Sequence, residues 1–123
     1  MSKNVLIITN KNDVTSDFIV LELRKQGVSF YRLNTEEIGI SVFLTLDLTS
    51  SDFSIYDDHQ NIRIDLNSFT AVYFRRPKIR AYKDPTLNNN EKEFLLSENY
   101  QTLEGLYKIL DKKKWVNPVY AIR

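Results

Sequence analysis

The sequence predicts a small α/β domain with a parallel sheet core, an antiparallel meander and two main helices. Three observations carry this prediction: two apolar runs separated by a helical segment, an apolar–polar alternation in mid-chain, and a late apolar stripe at helical spacing. With 123 residues, 42% of them hydrophobic and 27% charged, the chain suits a single domain over residues 1–123.

The first 34 residues predict a βαβ unit. The run Asn4–Asn10 is apolar and β-branched, as in a strand buried on both faces. A helix follows, with Thr15 as its cap and Gly27 at its end. Its predicted apolar face consists of Phe18, Ile19, Leu21 and Leu23. The run Val28–Asn34 is then a second strand, and the short links make it parallel to the first.

The middle of the chain predicts an antiparallel meander. Ile40–Leu48 alternates apolar and polar residues, and two shorter strand-like runs follow it between turn clusters. Thr70–Phe74 returns to a continuous apolar run and is expected to rejoin the buried sheet.

A long helix is predicted near the end of the chain. Asn90 and Glu93 have the spacing of a capping box. One stripe at helical spacing comprises Leu96, Tyr100, Leu103, Tyr107 and Leu110. The last segment is expected to run extended, with Trp115 as a packing anchor.

Composition excludes several classes of function. The chain has no cysteine, which excludes disulfides, thiolate metal sites and a cysteine nucleophile. His59 stands in a polar turn typical of a solvated residue, and no glycine-rich phosphate loop occurs. No run approaches the ~20 apolar residues of a membrane span. The net charge of +1 gives no overall reason to expect a nucleic-acid or membrane partner. We expect a cytoplasmic protein. We also expect no catalytic or metal-binding residues in this segment.

The sharpest signal is an arginine pair at the end of a buried strand. Arg75 and Arg76 follow Phe74 directly, and adjacent strand residues face opposite sides of a sheet. Burying a guanidinium without a partner is unfavourable, so we predict that the strand ends before the pair. Pro77 is predicted to hold Arg76 extended and to stop the hydrogen-bond ladder.

Open parallel sheets bind ligands at the carboxyl ends of their strands. Asn10 and Asp13 follow the first strand there, residues 34–37 follow the second, and the arginine pair follows the later one. The predicted substrate-binding residues are Asn10, Asp13, Arg75 and Arg76. Arginine is suited to bidentate contact with a carboxylate or phosphate.

Other interpretations of these residues stay open. The basic run comprises Arg75, Arg76, Lys78, Arg80 and Lys83. It could be a solvated loop, or an arginine could bridge internally to Asp13, Glu36 or Glu37. Nucleic acid is a weaker alternative, because stacking platforms need aromatic side chains displayed repeatedly over a surface. Helix capping is the simpler role for Asp13.

The order of segments resembles a known family. "VLIITN", "DVTSDFIVLEL", "YRLNTEEI", "VYFRRPKI", "EFLLSENYQTLEGLYKIL" and "WVNPVYAIR" follow one another as in the N-terminal, pre-ATP-grasp domain of ATP-grasp ribosomal peptide maturases, the microviridin-type or graspetide ligases. The resemblance spans nearly the whole chain, and its specific parts are "RLNTEEI", "RRP" and "WVNP". Phe74 stands where the family often has tryptophan. The resemblance implies a three-layer, Rossmann-like domain.

The resemblance also implies a larger parent protein. Asn117, Pro118 and Ala121 fit the step toward ATP-binding grasp domains, which are expected C-terminal to residue 123. ATP and Mg²⁺ would belong to those domains, with no cofactor in this one. The parent would be an ATP-dependent carboxylate–amine or carboxylate–alcohol ligase that crosslinks a ribosomal precursor peptide with acidic residues. This domain would contribute to the substrate cleft and to interdomain contacts without catalysing alone, and a homodimer is left open.

The residues leave one other class of function open. The chain could be a stand-alone flavodoxin-like binding module for an acidic or phosphorylated partner. A phosphorylated receiver would need an acidic cluster after the first strand and an acceptor aspartate ending a middle strand. Asn10 and Asn34 stand at those strand ends instead.

Overall fold

The computed structural model describes residues 3–78, 85–111 and 113–116. Within these ranges, a parallel sheet is formed by four strands: β1 (Asn4–Thr9), β2 (Ser29–Asn34), β6 (Ala71–Phe74) and β7 (Lys114–Val116). Their order in the sheet is β2–β1–β6–β7. The predicted parallel pairing of the first two strands and the return of the third run to this sheet are confirmed. The predicted packing of Trp115 concerns a side chain outside the described part of the structure.

The predicted meander is also confirmed. Strands β3 (Val42–Asp47), β4 (Asp52–Asp57) and β5 (Ile62–Asp65) pair antiparallel in sequence order. Short 3₁₀ turns lie at Thr35–Glu37, before the meander, and at Leu66–Ser68, after it.

The main core lies between one face of the parallel sheet, the meander and the second helix. Leu6 and Ile8 of β1 are fully buried there, with Ile55 of the meander and Leu106 of the helix. The rings of Phe74 and Tyr107 meet edge to face, with centroids 5.6 Å apart. Ile7 is equally buried but points to the opposite face of the sheet, because strand side chains alternate. The first helix covers that second face, which gives the three layers.

The buried face of helix α1 (Val14–Lys25) matches the predicted one only in part, since Ile19 and Leu23 are half-buried. Phe18 and Leu21 are 66% and 58% exposed, whereas Ser16 and Val20 are buried. The reason is a polar contact: the Ser16 hydroxyl lies between Asp13 and Thr9, and this fixes the rotation of the helix on the sheet. Thr15 is not the cap, because Asp13 occupies the N-cap position. The predicted stop is confirmed at Gly27, where φ is +68°.

Helix α2 (Asn89–Ile109) begins earlier than predicted. Asn88 and Glu91 form the capping box, so the assignment to Asn90 and Glu93 was wrong by two residues. The predicted stripe is buried from Leu103 onward, but Tyr100 is 60% exposed because the first half of the helix extends beyond the core. No helix in the described ranges has the length and apolar character that crossing a membrane requires.

Candidate functional site

The carboxyl edge of the parallel sheet, where β1, β2 and β6 end after Thr9, Asn34 and Phe74, brings three connections together. These are the β1–α1 connection, the turn after β2, and residues 75–78 after β6. As the arrangement of parallel strands predicts, Asn10 and Asp13 lie beside the two arginines. The Nδ2 of Asn10 donates a hydrogen bond to the carbonyl oxygen of Arg76 at 2.6 Å. The Nε of Arg75 lies 3.3 Å from Oδ1 of Asp13.

The buried carboxylate of Asp13 accepts three side-chain hydrogen bonds. Its Oδ2 accepts from the hydroxyls of Ser16 at 2.6 Å and Thr9 at 2.8 Å, and its Oδ1 accepts from Arg75. Burial alone would raise the pKa of this carboxyl, but these bonds outweigh burial and hold the pKa below its ordinary value. Asp13 occupies the N-cap position, but its side chain makes no capping bond to the helix backbone, so capping does not account for the carboxylate.

The two arginines differ in their surroundings. Arg75 still donates its backbone N–H to the Ile8 carbonyl at 2.9 Å, and its side chain is only 28% exposed beside Asp13. Among the alternatives that the sequence left open for the basic run, the internal ion pair with Asp13 is therefore the one that Arg75 forms. The Arg76 residue is exposed, and its guanidinium makes no ion pair with another described residue.

The backbone of Arg76 is not extended, contrary to the prediction from Pro77. Its φ is +48°, in the left-handed region that a residue with a side chain rarely adopts. Hydrogen bonds from other parts of the chain override the local preference here. One is the Asn10 bond to the Arg76 carbonyl, and the other is a double contact between Thr35 and Lys78.

Two residues of this edge were not singled out from the sequence, although Thr35 belongs to residues 34–37, which were placed there. The Thr35 hydroxyl donates to the Lys78 carbonyl and accepts from the Lys78 N–H at 2.8 Å. The Arg32 Nη2 donates to the Asn10 carbonyl at 2.7 Å, and its Nη1 pairs with Asp17. The signal for Arg32 is a charged residue between the apolar residues of a predicted strand, which requires a nearby acceptor.

Among the described residues, the acidic side chains after β2 are not paired with Arg75 or Arg76. Glu37 forms an ion pair with the Lys11 side chain, and Glu36 accepts from the Lys11 backbone N–H at 3.2 Å. The interpretation of Glu36 or Glu37 as a partner for the arginine pair was therefore wrong. Among the described residues that follow β6, Arg76 and Lys78 are exposed cations.

The edge offers a cationic surface. Within residues 3–78, 85–111 and 113–116, no cluster of three or more His, Cys, Asp or Glu side chains could hold a metal ion. His59 is exposed in a turn. The predicted cations Arg80 and Lys83 lie outside the described residues, as do Asn117, Pro118 and Ala121.

Comparison with known proteins decides the family. Residues 4–123 match the sequence model of a family described as the MvdD pre-ATP grasp domain. The chain belongs to this family. The predicted resemblance to the pre-ATP-grasp domain of ribosomal peptide maturases is thereby confirmed. A search among curated proteins found no match.

Several solved structures contain the same fold as this pre-ATP-grasp domain. Macrocyclase MdnC of Microcystis aeruginosa MRC, bound with precursor peptide MdnA, has a TM-score of 0.81 at 21% identity, covering 97% of this chain and 39% of that chain. Macrocyclase MdnB of the same organism has a TM-score of 0.77 at 22% identity, covering 96% and 38%.

A third neighbour is a RiPP-associated ATP-grasp ligase of Chryseobacterium gregarium in complex with ADP and a leader and core peptide. Its TM-score is 0.69 at 19% identity, covering 89% of this chain and 33% of that chain. The pre-ATP-grasp domain thus spans between a third and two fifths of the length of these enzymes.

Proposed function

We propose that this pre-ATP-grasp domain belongs to an ATP-dependent ligase that crosslinks a ribosomal precursor peptide. In this proposal, the carboxyl edge forms one wall of the substrate cleft, with Arg76 exposed on it and the buried Asn10 and Asp13 behind it, beside Arg75. Family membership supports the ligase, and the peptide complexes of similar enzymes support the peptide substrate. The proposed role of this edge in the substrate cleft is supported by the exposed Arg76 residue, whose backbone is left-handed.

The two arginines take different roles in this wall. Arg75 is engaged by Asp13, so it fixes the β6 end against the β1–α1 connection. Arg76 faces solvent and contacts an acidic side chain of the peptide, or the acyl phosphate formed from it. Planar guanidinium groups bind such oxygens bidentately and stabilise developing negative charge.

ATP and Mg²⁺ are assigned to grasp domains C-terminal to residue 123. The proposal therefore places the chemical step in those grasp domains and assigns none to this domain alone. Its contribution is to bind and orient the peptide and to contact the grasp domains in cis.

The exposed Phe94 and Tyr100 of α2 are a candidate surface for a homodimer, which an equilibrium sedimentation measurement of the full-length protein would test.

The test compares single variants of the full-length ligase by mass spectrometry of the precursor, since each ester or amide crosslink releases water. Arg76→Ala should lower kcat/KM about tenfold or more, because a charge-assisted hydrogen bond contributes roughly 1.5–3 kcal/mol. Arg76→Lys should retain part of the rate, since the charge remains without the bidentate geometry. Lys25→Ala, at the opposite end of α1, is the matched control and should leave the rate unchanged.

The same assay includes Arg75→Ala with a stability measurement beside it. This variant leaves the buried Asp13 carboxylate without its guanidinium partner, which destabilises the domain. Its crosslinking rate is therefore expressed per folded protein. Wild-type rates with Arg76→Ala in stably folded protein would refute the cleft role. Family membership favours this ligase function over the flavodoxin-like binding module.

A further inference from the structure

We infer that Thr35 and Asn10 are positioning residues that together hold Arg76 in its left-handed, outward conformation. The inference rests on the proposed function, because Arg76 is the side chain whose placement matters for the peptide. It changes the role of Asn10 from substrate contact to support. It also gives a role to Thr35, which the sequence placed at the carboxyl edge only as one of residues 34–37.

Thr35 holds the segment after Arg76. Its buried hydroxyl donates to the Lys78 carbonyl and accepts from the Lys78 N–H, so a single side chain engages both backbone groups of one residue. The Oγ1 atom also lies 3.3 Å from the Thr9 carbonyl oxygen at the end of β1. Lys78 is therefore fixed to the turn after β2 and lies near the end of β1, although no strand pairing reaches it.

Asn10 holds Arg76 itself. Its Nδ2 donates to the Arg76 carbonyl at 2.6 Å, while its Oδ1 accepts from the Asn12 N–H at 2.9 Å. The two bonds orient the amide in one way only, because one end must donate and the other accept. The Asn10 backbone carbonyl is itself bound by Arg32, so the residue that holds Arg76 is fixed in turn.

Arg76 lies between these two attachments with a φ of +48°. Left-handed backbone is unfavourable for residues with a side chain, and the residue before proline favours extended backbone. Such a conformation persists only where surrounding contacts fix it, and such sites cluster where function requires them. Arg75 adds a third attachment, through its N–H to Ile8 and its side chain to Asp13. If the Thr35 or Asn10 contacts were lost, Arg76 would relax and its guanidinium would move.

The experiment uses Thr35→Val and Thr35→Ser in the full-length ligase. Valine has nearly the shape of threonine but no hydroxyl, whereas serine keeps the hydroxyl. We expect Thr35→Val to lower kcat/KM for the precursor about tenfold, the effect of one well-placed hydrogen bond, and Thr35→Ser to restore most of it. Asn10→Asp should also lower kcat/KM, because a carboxylate can still accept from Asn12 but cannot donate to Arg76. Thr45→Val, in the middle of β3, is the matched control and should have no effect.

A double-mutant cycle separates positioning from general stability. If Thr35 acts through Arg76, Thr35→Val should cause no further loss in an Arg76→Ala background. Equal loss in both backgrounds would overturn the inference, and so would an unchanged rate for Thr35→Val when Arg76→Ala is impaired. That second result would leave the proposed function standing.

A readout without catalysis tests the positioning contacts directly. The intraresidue NOE between the amide and α protons of residue 76 is strong at positive φ and weak in extended backbone. We expect a strong NOE in the wild type and in Thr35→Ser, and a weak one in Thr35→Val. A strong NOE in folded Thr35→Val would overturn the inference whatever the activity. If the NOE changes as expected but Arg76→Ala crosslinks normally, the positioning contacts stand and the proposed cleft role fails.

Discussion

The guanidinium of Arg75 lies against the buried carboxylate of Asp13, with Nε 3.3 Å from Oδ1. The contact joins the β1–α1 connection to the end of β6, 62 residues later in the chain. Hydroxyls of Thr9 and Ser16 complete the surroundings of the carboxylate. The charged form of Asp13 is therefore stabilised by folding, and the stability of the domain must depend on pH through this residue.

Asp13→Asn should lower the free energy of unfolding by roughly 1–3 kcal/mol at neutral pH, because the amide cannot satisfy three donors as a carboxylate does. The folded pKa lies below the ordinary value of 3.8, so this stabilisation is present above that value and is lost as pH falls through the folded pKa. The free energy of unfolding in urea is measured at about pH 7 and about pH 3. The difference in this free energy between wild type and variant should be smaller at the acid pH.

Asp58→Asn provides the control for that comparison, since Asp58 lies exposed in the β4–β5 turn. Its stability should follow the wild type at both pH values. An Asp13→Asn difference that stayed constant or grew on acidification would show that the carboxylate charge is not what Arg75 and the hydroxyls stabilise.

Arg76→Gly should raise stability while it lowers crosslinking. Glycine adopts positive φ without a steric penalty. Removing the steric strain at a φ of +48° should therefore raise the free energy of unfolding by about 1 kcal/mol. Ser51→Gly, at a φ of +58° in the β3–β4 turn, should give a similar gain and leave crosslinking intact. Thermal unfolding and the precursor mass assay check both. If Arg76→Gly were less stable than Arg76→Ala, the left-handed conformation would not be a source of strain.

The layers and the meeting of the strand ends could be predicted from sequence because both follow from local apolar patterns and from the geometry of parallel strands. The rotation of α1 could not. Phe18 and Leu21 outweigh Ser16 on any hydrophobic scale, yet Ser16 is buried because its hydroxyl bonds Asp13. The backbone of Arg76 could not be predicted either, since Asn10 and Thr35 override the preference that Pro77 imposes. Individual polar contacts of this kind leave no periodic signal in the sequence.

Tyr31→Phe should weaken the junction between the parallel sheet and the meander. The Tyr31 hydroxyl donates to Oδ2 of Asp57 at 2.7 Å, and both residues are buried. Burial would raise the Asp57 pKa, but bonds from Tyr31 and from Gln60 hold it below its ordinary value. Losing the hydroxyl leaves a buried carboxylate with fewer donors, which costs about 1–3 kcal/mol.

Urea unfolding of Tyr31→Phe at neutral pH measures this loss, and Tyr56→Phe is the matched control. The Tyr56 hydroxyl bonds Asn61 near the surface, so its removal should change stability by less than about 0.5 kcal/mol. The loss in Tyr31→Phe should diminish at acid pH, because a protonated Asp57 gains less from the hydroxyl. If both variants lost the same free energy of unfolding, the buried Tyr31–Asp57 hydrogen bond would stabilise the domain no more than the surface bond of Tyr56.

Asn88→Ala should destabilise α2, whereas Asn90→Ala should not. The Asn88 side chain accepts from the Glu91 N–H at 2.8 Å, and the Glu91 side chain accepts from the Asn88 N–H at 3.1 Å. Loss of such a cap costs about 1 kcal/mol, while Asn90 lies inside the first turn, where alanine is the better helix former. Chemical denaturation of the two variants gives opposite signs if the helix begins at Asn89. The reverse order of stability would place the start of the helix at the later capping box that the sequence suggested.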